Sequence, residues 1–396
     1  MNYRILSLDG GGAWALIQVR ALIALYDEDA LGRAVLSDFD LVAANSGGSL
    51  VLGGLVENLT LGSLLNYFED EGKRRAIFSP TTSWGDRALH DLTGIGPKYS
   101  ADAKLPALQR LLPQRGNVPL STAAAGVRRD GLPTDVHLLI IGFDYDRNRA
   151  VFFRSAEAGA GPEWGKGESA DVTLAEAIHA STNAPVNYFD APAQFPDRPD
   201  RYWDGGLTGC NNPVLAAVTE AIVLGQAPTD IAALSIGTGT VALPLAQPGT
   251  QPSPYEAARS DSGLISDLHK LATSILDDPP DVATFLAHVM TAGSKDVKAP
   301  AVSRIVRMNP LISPIRNTAQ NWTAPGGMTA AQFKFLANLD MDAVEQHEVD
   351  AIADYAELWL QGRAPNQPIR MDTKTLAAEL GYSWFQEAVA AWKKIK

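Results

Sequence analysis

The stretch that decides the fold runs from Arg4 to Gly12 and reads RILSLDGGG. Its short apolar run, residues 4–8, predicts a buried strand, and three consecutive glycines follow after Asp9. Residues 13–26 then place apolar side chains at helical spacing on one face. A strand, a tight glycine turn and a helix in this order are typical of an α/β sheet covered by helices.

A second strand-turn-helix unit follows the first. Residues 39–44 predict another strand, which ends at the sequence Ala44-Asn45-Ser46-Gly47-Gly48 and leads into a helix. Other local patterns predict strands at 136–143, 150–153, 188–189, 201–203 and 231–236, and a helix at 174–181. We therefore predict the α/β fold class, with a central, mostly parallel sheet flanked by helices.

The chain is expected to form one domain over residues 1–396. Its motif-bearing core spans about 4–240, and residues 241–254 hold four prolines, which predict an exposed connection. The rest, 255–396, is predicted to be a mainly helical C-terminal part of the same domain. Its predicted elements are helices at 264–276, 282–290, 341–360 and 385–394 and a strand at 302–308 that can return to the sheet.

Composition restricts the binding partners and the cellular location that we expect for the protein. The 33 basic and 45 acidic residues give a net charge of −12, which repels phosphate backbones and argues against nucleic acid. The single cysteine, Cys210, cannot form an intramolecular disulfide or a cysteine zinc site. No leader pattern and no membrane-spanning segment is visible in the sequence, so we expect a cytoplasmic protein.

Ser46 lies on the predicted turn between the second strand and its helix. A sharp turn of this kind lifts a serine hydroxyl out of the sheet and sets it at a helix N-terminus, where it can act as a nucleophile. Small neighbours avoid clashes, and here they are Ala44, Gly47 and Gly48, with Asn45 between. The pattern is G-x-S-x-G with alanine in place of the first glycine. An ordinary helix cap is the alternative interpretation.

The glycine turn after Asp9 can present backbone amides to an anion. Successive N–H groups of Gly10, Gly11, Gly12 and Ala13 at a helix N-terminus suit an oxyanion or a phosphate. The same residues also satisfy a loose dinucleotide-binding pattern. Against that alternative, Asp9 would face a pyrophosphate, and the second strand ends without the acidic residue that binds ribose.

A third motif, Asp204-Gly205-Gly206, follows a short predicted strand. A buried carboxylate that faces a serine hydroxyl can accept its proton directly. Without a partner, the same three residues would indicate only a β-turn.

Taken together and in this order, the three motifs resemble the patatin-like phospholipase family. Residues 174–185 (LAEAIHASTNAP), Asn211-Asn212-Pro213 and residues 234–239 (LSIGTG) are also similar to segments of that family. The resemblance covers roughly residues 4–240, and no motif of comparable strength follows.

The resemblance implies a three-layer α/β architecture and a serine esterase with a Ser–Asp dyad. Ser46 would be the nucleophile and Asp204 the base, with Gly205 and Gly206 beside it. The amides from Gly10 to Ala13 would form the oxyanion hole. It implies neither a metal nor an organic cofactor. The expected substrates are phospholipids, lysophospholipids or other fatty acyl esters, with transient contact at a membrane surface. The oligomeric state is left open.

Three positions depart from the family pattern: Ala44, Trp14 in place of the usual arginine, and Ala15 in place of glycine. One alternative is therefore a catalytically silent protein that binds or regulates, and the dinucleotide-binding oxidoreductase is another. A Ser–His–Asp triad would need His269, His288 or His347. An acyl chain would need an apolar groove, for which the candidates are Leu64, Leu65, Tyr67, Phe68, Ile77 and Phe78.

Overall fold

The computed structural model describes residues 2–80, 98–155, 172–185, 188–196, 198–259, 280–292, 303–319, 321–372 and 374–396. At its centre is an eight-stranded sheet. The strands of this sheet are β1 (Tyr3–Leu8), β2 (Leu41–Asn45), β3 (His137–Asp144), β4 (Arg149–Arg154), β5 (Ala193–Gln194), β6 (Arg201–Asp204), β7 (Ile231–Ile236) and, after the short β8 (Thr240–Val241), β9 (Ile305–Met308).

The strand order is β5-β6-β3-β2-β1-β7-β9, with β4 paired to β3. From β3 through β9 the neighbours are parallel, whereas β4 and β6 run antiparallel to β3. The predicted α/β class with a mostly parallel sheet is confirmed. Because parallel strands end at one edge, the loops after β1 and β2 lie side by side, with Leu8 opposite Ala44.

Helices cover both faces of the sheet. They are α1 (Leu16–Tyr26), α2 (Gly32–Leu36), α3 (Gly47–Val56), α4 (Leu61–Glu69), α5 (Glu71–Ile77), α6 (Ala101–Leu111), α7 (Leu120–Ala123), α8 (Leu174–Ser181), α9 (Val214–Val223), α10 (280–291), α11 (Ala330–Ala337), α12 (Gln346–Leu360) and α13 (Phe385–Ile395). Alternate strand residues enter different clusters: Leu6 packs with the α1 and α3 side chains, and Ile5 with those of α9. Alternate residues of a strand point to opposite faces of the sheet, so helices pack on both faces and the fold has three layers: helices, sheet and helices.

The chain after the proline-rich connection contributes both to the sheet and to smaller units. Strand β9 pairs in parallel with β7, so this part returns to the main sheet as the sequence allowed. Three small two-stranded sheets also form, by β8 with β10 (Leu311–Ile312), β11 (Ile315–Arg316) with β12 (Trp322–Thr323), and β13 (Arg370–Met371) with β14 (Ala378–Leu380). Within the ranges given above, no helix combines the length and apolar character needed to span a bilayer.

Several local predictions differ from the structure. The helix predicted from residue 13 opens with a 3-10 turn, Gly12–Ala15, before α1. The strand predicted at 188–189 is only an isolated bridge between Tyr99 and Phe189. The helix predicted from residue 341 begins at Gln346 in α12, so residues 341–345 form a loop. The predicted helix at 264–276 lies outside the described residues.

Candidate active site

Ser46 occupies the sharp turn between β2 and α3. Its backbone has φ 47° and ψ −124°, a strained conformation for a residue with a side chain, and the residue is 6% exposed. Its N–H donates to Ser181 Oγ of α8 at 2.9 Å. The turn brings α3 against β1 so closely that a Cβ on Gly48 would lie 2.4 Å from the Leu8 carbonyl oxygen. Glycine is therefore required for this approach.

The alanine that replaces the first glycine of the elbow does not disturb it. Ala44 is a regular residue of β2, fully buried, and pairs with Leu8 on one side and Ile140 on the other. The close backbone contact lies after the serine and not at Ala44: a Cβ on Gly47 would lie 2.5 Å from the Gly12 carbonyl oxygen. The departure at Ala44 thus leaves the turn intact.

Sheet register brings Asp204 to Ser46. Asn45 lies opposite Ile141 of β3, and the next β3 residue, Gly142, lies opposite Asp204 at the end of β6. The side chain of Ser46 lies close enough to the Asp204 carboxyl to lower its pKa. The strand β3 therefore acts as the spacer that places the two groups side by side.

Two further donors orient the carboxylate. Asp204 Oδ1 accepts from the Gly206 N–H at 2.7 Å and from Asn45 Nδ2 at 3.3 Å. A Cβ on Gly205 would lie 2.3 Å from Asn45 Oδ1, so the glycine lets this amide approach. Asn45, predicted only as part of the turn around the serine, thus contacts the carboxylate directly.

Burial sets the basicity of Asp204. Removal from water raises the pKa of its carboxyl, while hydrogen bonds from Ser46, Gly206 and Asn45 and the charge of Lys104 oppose the rise. A carboxylate with a raised pKa is a stronger base than one in water. The predicted base therefore has the environment that a proton acceptor needs.

A buried lysine, Lys104, lies near this carboxylate. It is fully buried on α6, its Nζ donates to Asn183 Oδ1 at 2.8 Å, and it lies 3.6 Å from the centre of the Phe189 ring. Burial lowers its pKa well below the usual range, and the charge of Asp204 opposes that shift. Sequence analysis missed it, because a lysine on a helix normally points to solvent.

The glycine loop is held rigidly by residues from distant parts of the chain. The Gly10 N–H donates to the Asn211 carbonyl at 2.8 Å, and Thr238 Oγ1 donates to the Gly10 carbonyl at 2.6 Å. The Ala13 N–H donates to the Met341 carbonyl at 3.0 Å. The Asn-Asn-Pro and LSIGTG segments thus serve to anchor this loop.

Two of the four predicted oxyanion amides have no backbone carbonyl partner among the described contacts. Gly10 and Ala13 already donate to carbonyl oxygens, whereas in the described part of the chain Gly11 and Gly12 donate to no backbone carbonyl outside a helix or strand. Gly12 has φ +56°, which favours glycine, and a Cβ there would lie 2.3 Å from the Met341 carbonyl oxygen.

A loop from the C-terminal part, residues 340–342, forms one wall of the site. Trp14 Nε1 donates to the Asp340 carbonyl at 2.9 Å, so the residue that replaces the family's arginine holds this loop. Asp342 is buried and accepts from the Tyr99 hydroxyl at 2.7 Å and from Lys98 Nζ at 3.1 Å. Sequence analysis missed this wall of the site, because it predicted a helix from residue 341 where the structure has a loop.

The pocket above Ser46 is small and apolar. Its volume is about 20 Å³, and its walls include Leu50, Ile77, Phe78, Phe189 and Met341. A second apolar cavity, also about 20 Å³, shares Leu50 and Ile77 with the first. Of the side chains predicted for an acyl groove, Ile77 and Phe78 line the first cavity, and Leu64, Tyr67, Phe68 and Ile77 line the second.

The histidines proposed for a triad have other surroundings. His288 Nδ1 lies 2.9 Å from Ser303 Oγ, and the ring of His347 stacks on Phe335. His269 lies outside the described residues. Among the described groups, those that shift the pKa of Asp204 are Ser46, Gly206, Asn45 and Lys104, and none of them is a histidine. No cluster of three or more metal-ligating side chains is found in the described ranges.

Comparison with known proteins places this geometry in a family. The chain is 27% identical over 249 residues to a cGAMP-activated phospholipase from Pseudomonas aeruginosa, an alignment that covers 61% of this chain and 63% of that relative. The structure also aligns with VipD from Legionella pneumophila over 90% of this chain and 67% of that one, with 11% identity and a TM-score of 0.37. The sequence model of the patatin-like phospholipases matches residues 6–218. That match spans more than half of the chain, which therefore belongs to the patatin-like phospholipase family.

Proposed function

We propose that this protein is a lipid acyl hydrolase that cleaves fatty acyl esters with Ser46 as nucleophile and Asp204 as base. The observation that carries the proposal is the position of Ser46 at a strained strand-to-helix turn, close enough to the buried Asp204 carboxyl to lower its pKa. Family membership supports this function over the dinucleotide-binding oxidoreductase.

The reaction has two steps. Asp204 takes the proton of the Ser46 hydroxyl, whose oxygen attacks the ester carbonyl carbon. The tetrahedral intermediate collapses, the bond to the alcohol oxygen breaks, and that oxygen receives the proton from Asp204. In the second step Asp204 accepts a proton from water, which attacks the acyl-serine. The fatty acid leaves, and the proton returns to Ser46.

The amides of Gly11 and Gly12 are the oxyanion donors in this proposal. They are free of carbonyl partners among the described loop contacts, whereas Gly10 and Ala13 hold the loop in place. Each such donor contributes roughly 3 kcal/mol to the transition state. No step needs a metal or an organic cofactor, and the substrate class is phospholipid, lysophospholipid or another fatty acyl ester.

We also propose that the pocket must open before a lipid can enter, and that opening is a point of control. A cavity of about 20 Å³ has room for about one water molecule, whereas ligand pockets measure roughly 300–1,000 Å³. The relative from Pseudomonas aeruginosa is named as cGAMP-activated. By analogy, a cyclic dinucleotide is the first activator to add in an assay of this chain.

The proposal is tested by labelling the purified protein with a fluorophosphonate and locating the adduct by peptide mass. We expect an adduct on Ser46, its loss in Ser46→Ala, and labelling at least a hundredfold slower in Asp204→Asn, roughly as when a catalytic base is removed. Two residues with shielded side chains outside the site provide matched controls: Ser303→Ala and Asp40→Asn should label like the parent.

Each result that contradicts the proposal has a distinct meaning. No adduct on Ser46, with or without cGAMP, would favour the catalytically silent binding or regulatory protein. An adduct on Ser46 with a comparable loss of labelling in a variant of His269, His288 or His347 would favour a triad over the dyad.

A further inference from the structure

Asp9, the residue directly before the glycine loop, forms a buried ion pair with the C-terminal part of the chain. Its Oδ2 lies 2.6 Å from Arg307 Nη2, and the two side chains are 5% and 3% exposed. Arg307 belongs to β9, which lies beyond β7 at the sheet edge. A pair this far from water is stabilising only if both groups are well oriented.

Arg307 is held on several sides. Its Nη1 donates to Ser235 Oγ at 2.9 Å, and its Nε and Nη2 each lie 3.3 Å from Gln367 Oε1. Ser235 Oγ in turn donates to Asn212 Oδ1 at 3.4 Å. The guanidinium therefore has a fixed direction, because its planar fork is bonded to two elements besides Asp9.

Asp9 connects the ion pair with Arg307 to the glycine loop. Its N–H donates to the Ile236 carbonyl at 3.1 Å, and the next residue, Gly10, begins the segment that carries the free amides of Gly11 and Gly12. Asp9 Oδ1 has no hydrogen-bond partner within the described contacts, so Arg307 is the main anchor of this carboxylate. Without Arg307, this buried carboxylate at the start of the loop would lose its ion-pair partner.

We propose that Arg307 is a positioning residue for the oxyanion loop, acting through Asp9. This inference rests on the proposed function, since it concerns the geometry of the same reaction. A displacement of about 1 Å in a group that stabilises the transition state can cost roughly a hundredfold in rate. Residues of β9, which bear no catalytic motif, thereby set the rate of the reaction.

The test compares variants of the pair with a control at the residue just before the same strand. Arg307→Met removes the charge, Arg307→Lys keeps it without the fork, and Asp9→Asn breaks the pair from the other side. Arg304→Met is the control, since Arg304 bonds instead to the Ile231 carbonyl and Asn2 at the opposite end of β9. The readouts are kcat and KM on a water-soluble short-chain ester and the rate of fluorophosphonate labelling of Ser46.

We expect Arg307→Met to lower kcat and the labelling rate by roughly 10- to 100-fold with KM within about threefold, because the loop acts on the transition state. Arg307→Lys should recover part of this loss, and Arg304→Met should stay within about twofold of the parent. A purely structural role would instead lower the amount of folded protein and leave kcat per labelled site unchanged.

Folded Arg307→Met with kcat within about twofold of the parent would overturn the inference. If that variant does not fold, a folded Asp9→Asn with parental kcat would overturn it equally. A parent that fails to label Ser46 would overturn the proposed function and this inference with it. A parent that labels, with variants that label equally fast, would overturn only the role of Arg307.

Discussion

In the proposed mechanism Asp204 acts as a base without a histidine, because of where its carboxylate lies. Burial raises the pKa of this carboxyl, and hydrogen bonds from the Gly206 N–H and from Asn45 Nδ2 favour its ionised form. A histidine would be needed if the carboxylate were exposed, since its basicity would then be too low. At the scale of single residues, the environment of Asp204 supplies the chemistry.

Lys104 lies near the proposed base, Asp204, and its charge affects the pH dependence of the proposed reaction. The proposed reaction needs ionised Asp204, so kcat/KM should fall as the pH drops through the pKa of Asp204. The charge of Lys104 lowers that pKa. Lys104→Met should therefore move the acidic limb of the kcat/KM profile to higher pH.

The control for Lys104→Met is Lys73→Met, which removes an exposed lysine bonded to Asn66 and should leave the limb in place. The measurement is kcat/KM on the short-chain ester across the acidic range. An unmoved limb in Lys104→Met would show that this lysine is neutral beside Asp204, contrary to the prediction.

At the scale of elements, the site is closed by a loop that carries none of the catalytic groups. Residues 340–342 meet the glycine loop through the Met341 carbonyl and are fastened to Lys98 and Tyr99 through Asp342. Arg74 Nε adds a bond to the Val344 carbonyl at 3.1 Å. The same loop therefore lines the pocket and accepts the hydrogen bond of the Ala13 N–H.

Weakening this fastening should raise activity on long-chain lipids. Tyr99→Phe removes the hydroxyl that donates to Asp342, a hydrogen bond of about 0.5–1.5 kcal/mol, so the open form should gain roughly two- to tenfold in population. We expect the basal rate on phosphatidylcholine micelles, without activator, to rise by a similar factor.

Tyr255→Phe is the matched control for this prediction, because its ring packs on Phe333 away from the loop. Its basal rate should equal that of the parent. A basal rate in Tyr99→Phe at or below the parental rate would contradict a closing role for residues 340–342.

At the scale of the whole molecule, the net charge of −12 would oppose the proposed contact with an anionic lipid surface. Anionic bilayers repel such a protein at long range, and salt screens the repulsion over about 10 Å at 0.1 M. Contact with a membrane must therefore depend on local apolar groups more than on a general electrostatic attraction.

We expect hydrolysis of vesicles rich in phosphatidylglycerol to be slower at low salt than hydrolysis of phosphatidylcholine vesicles, and to accelerate as salt is added. Hydrolysis of the neutral short-chain ester serves as the control and should be insensitive to salt. Faster hydrolysis of the anionic vesicles at low salt would indicate a local basic surface that outweighs the net charge.

The local elements of the core were predictable because each is determined by a short pattern. The helix at Leu174–Ser181 and the strand at Ile231–Ile236 match their predicted bounds, and the two glycine-rich turns lie where apolar strands end. The residues of the proposed dyad were identified from the same local motifs together with their order in the chain.

What the tertiary structure alone decided is which distant residues meet. The register across β3 sets Asp204 beside Ser46, the packing of α6 buries Lys104, and the return of β9 to the sheet brings Arg307 to Asp9. No local pattern in the sequence encodes these contacts, because they depend on strand order and on the packing of segments far apart in the chain. The sequence motifs thus indicate the proposed reaction, and the tertiary structure positions Lys104 and Arg307 beside the residues of the proposed site.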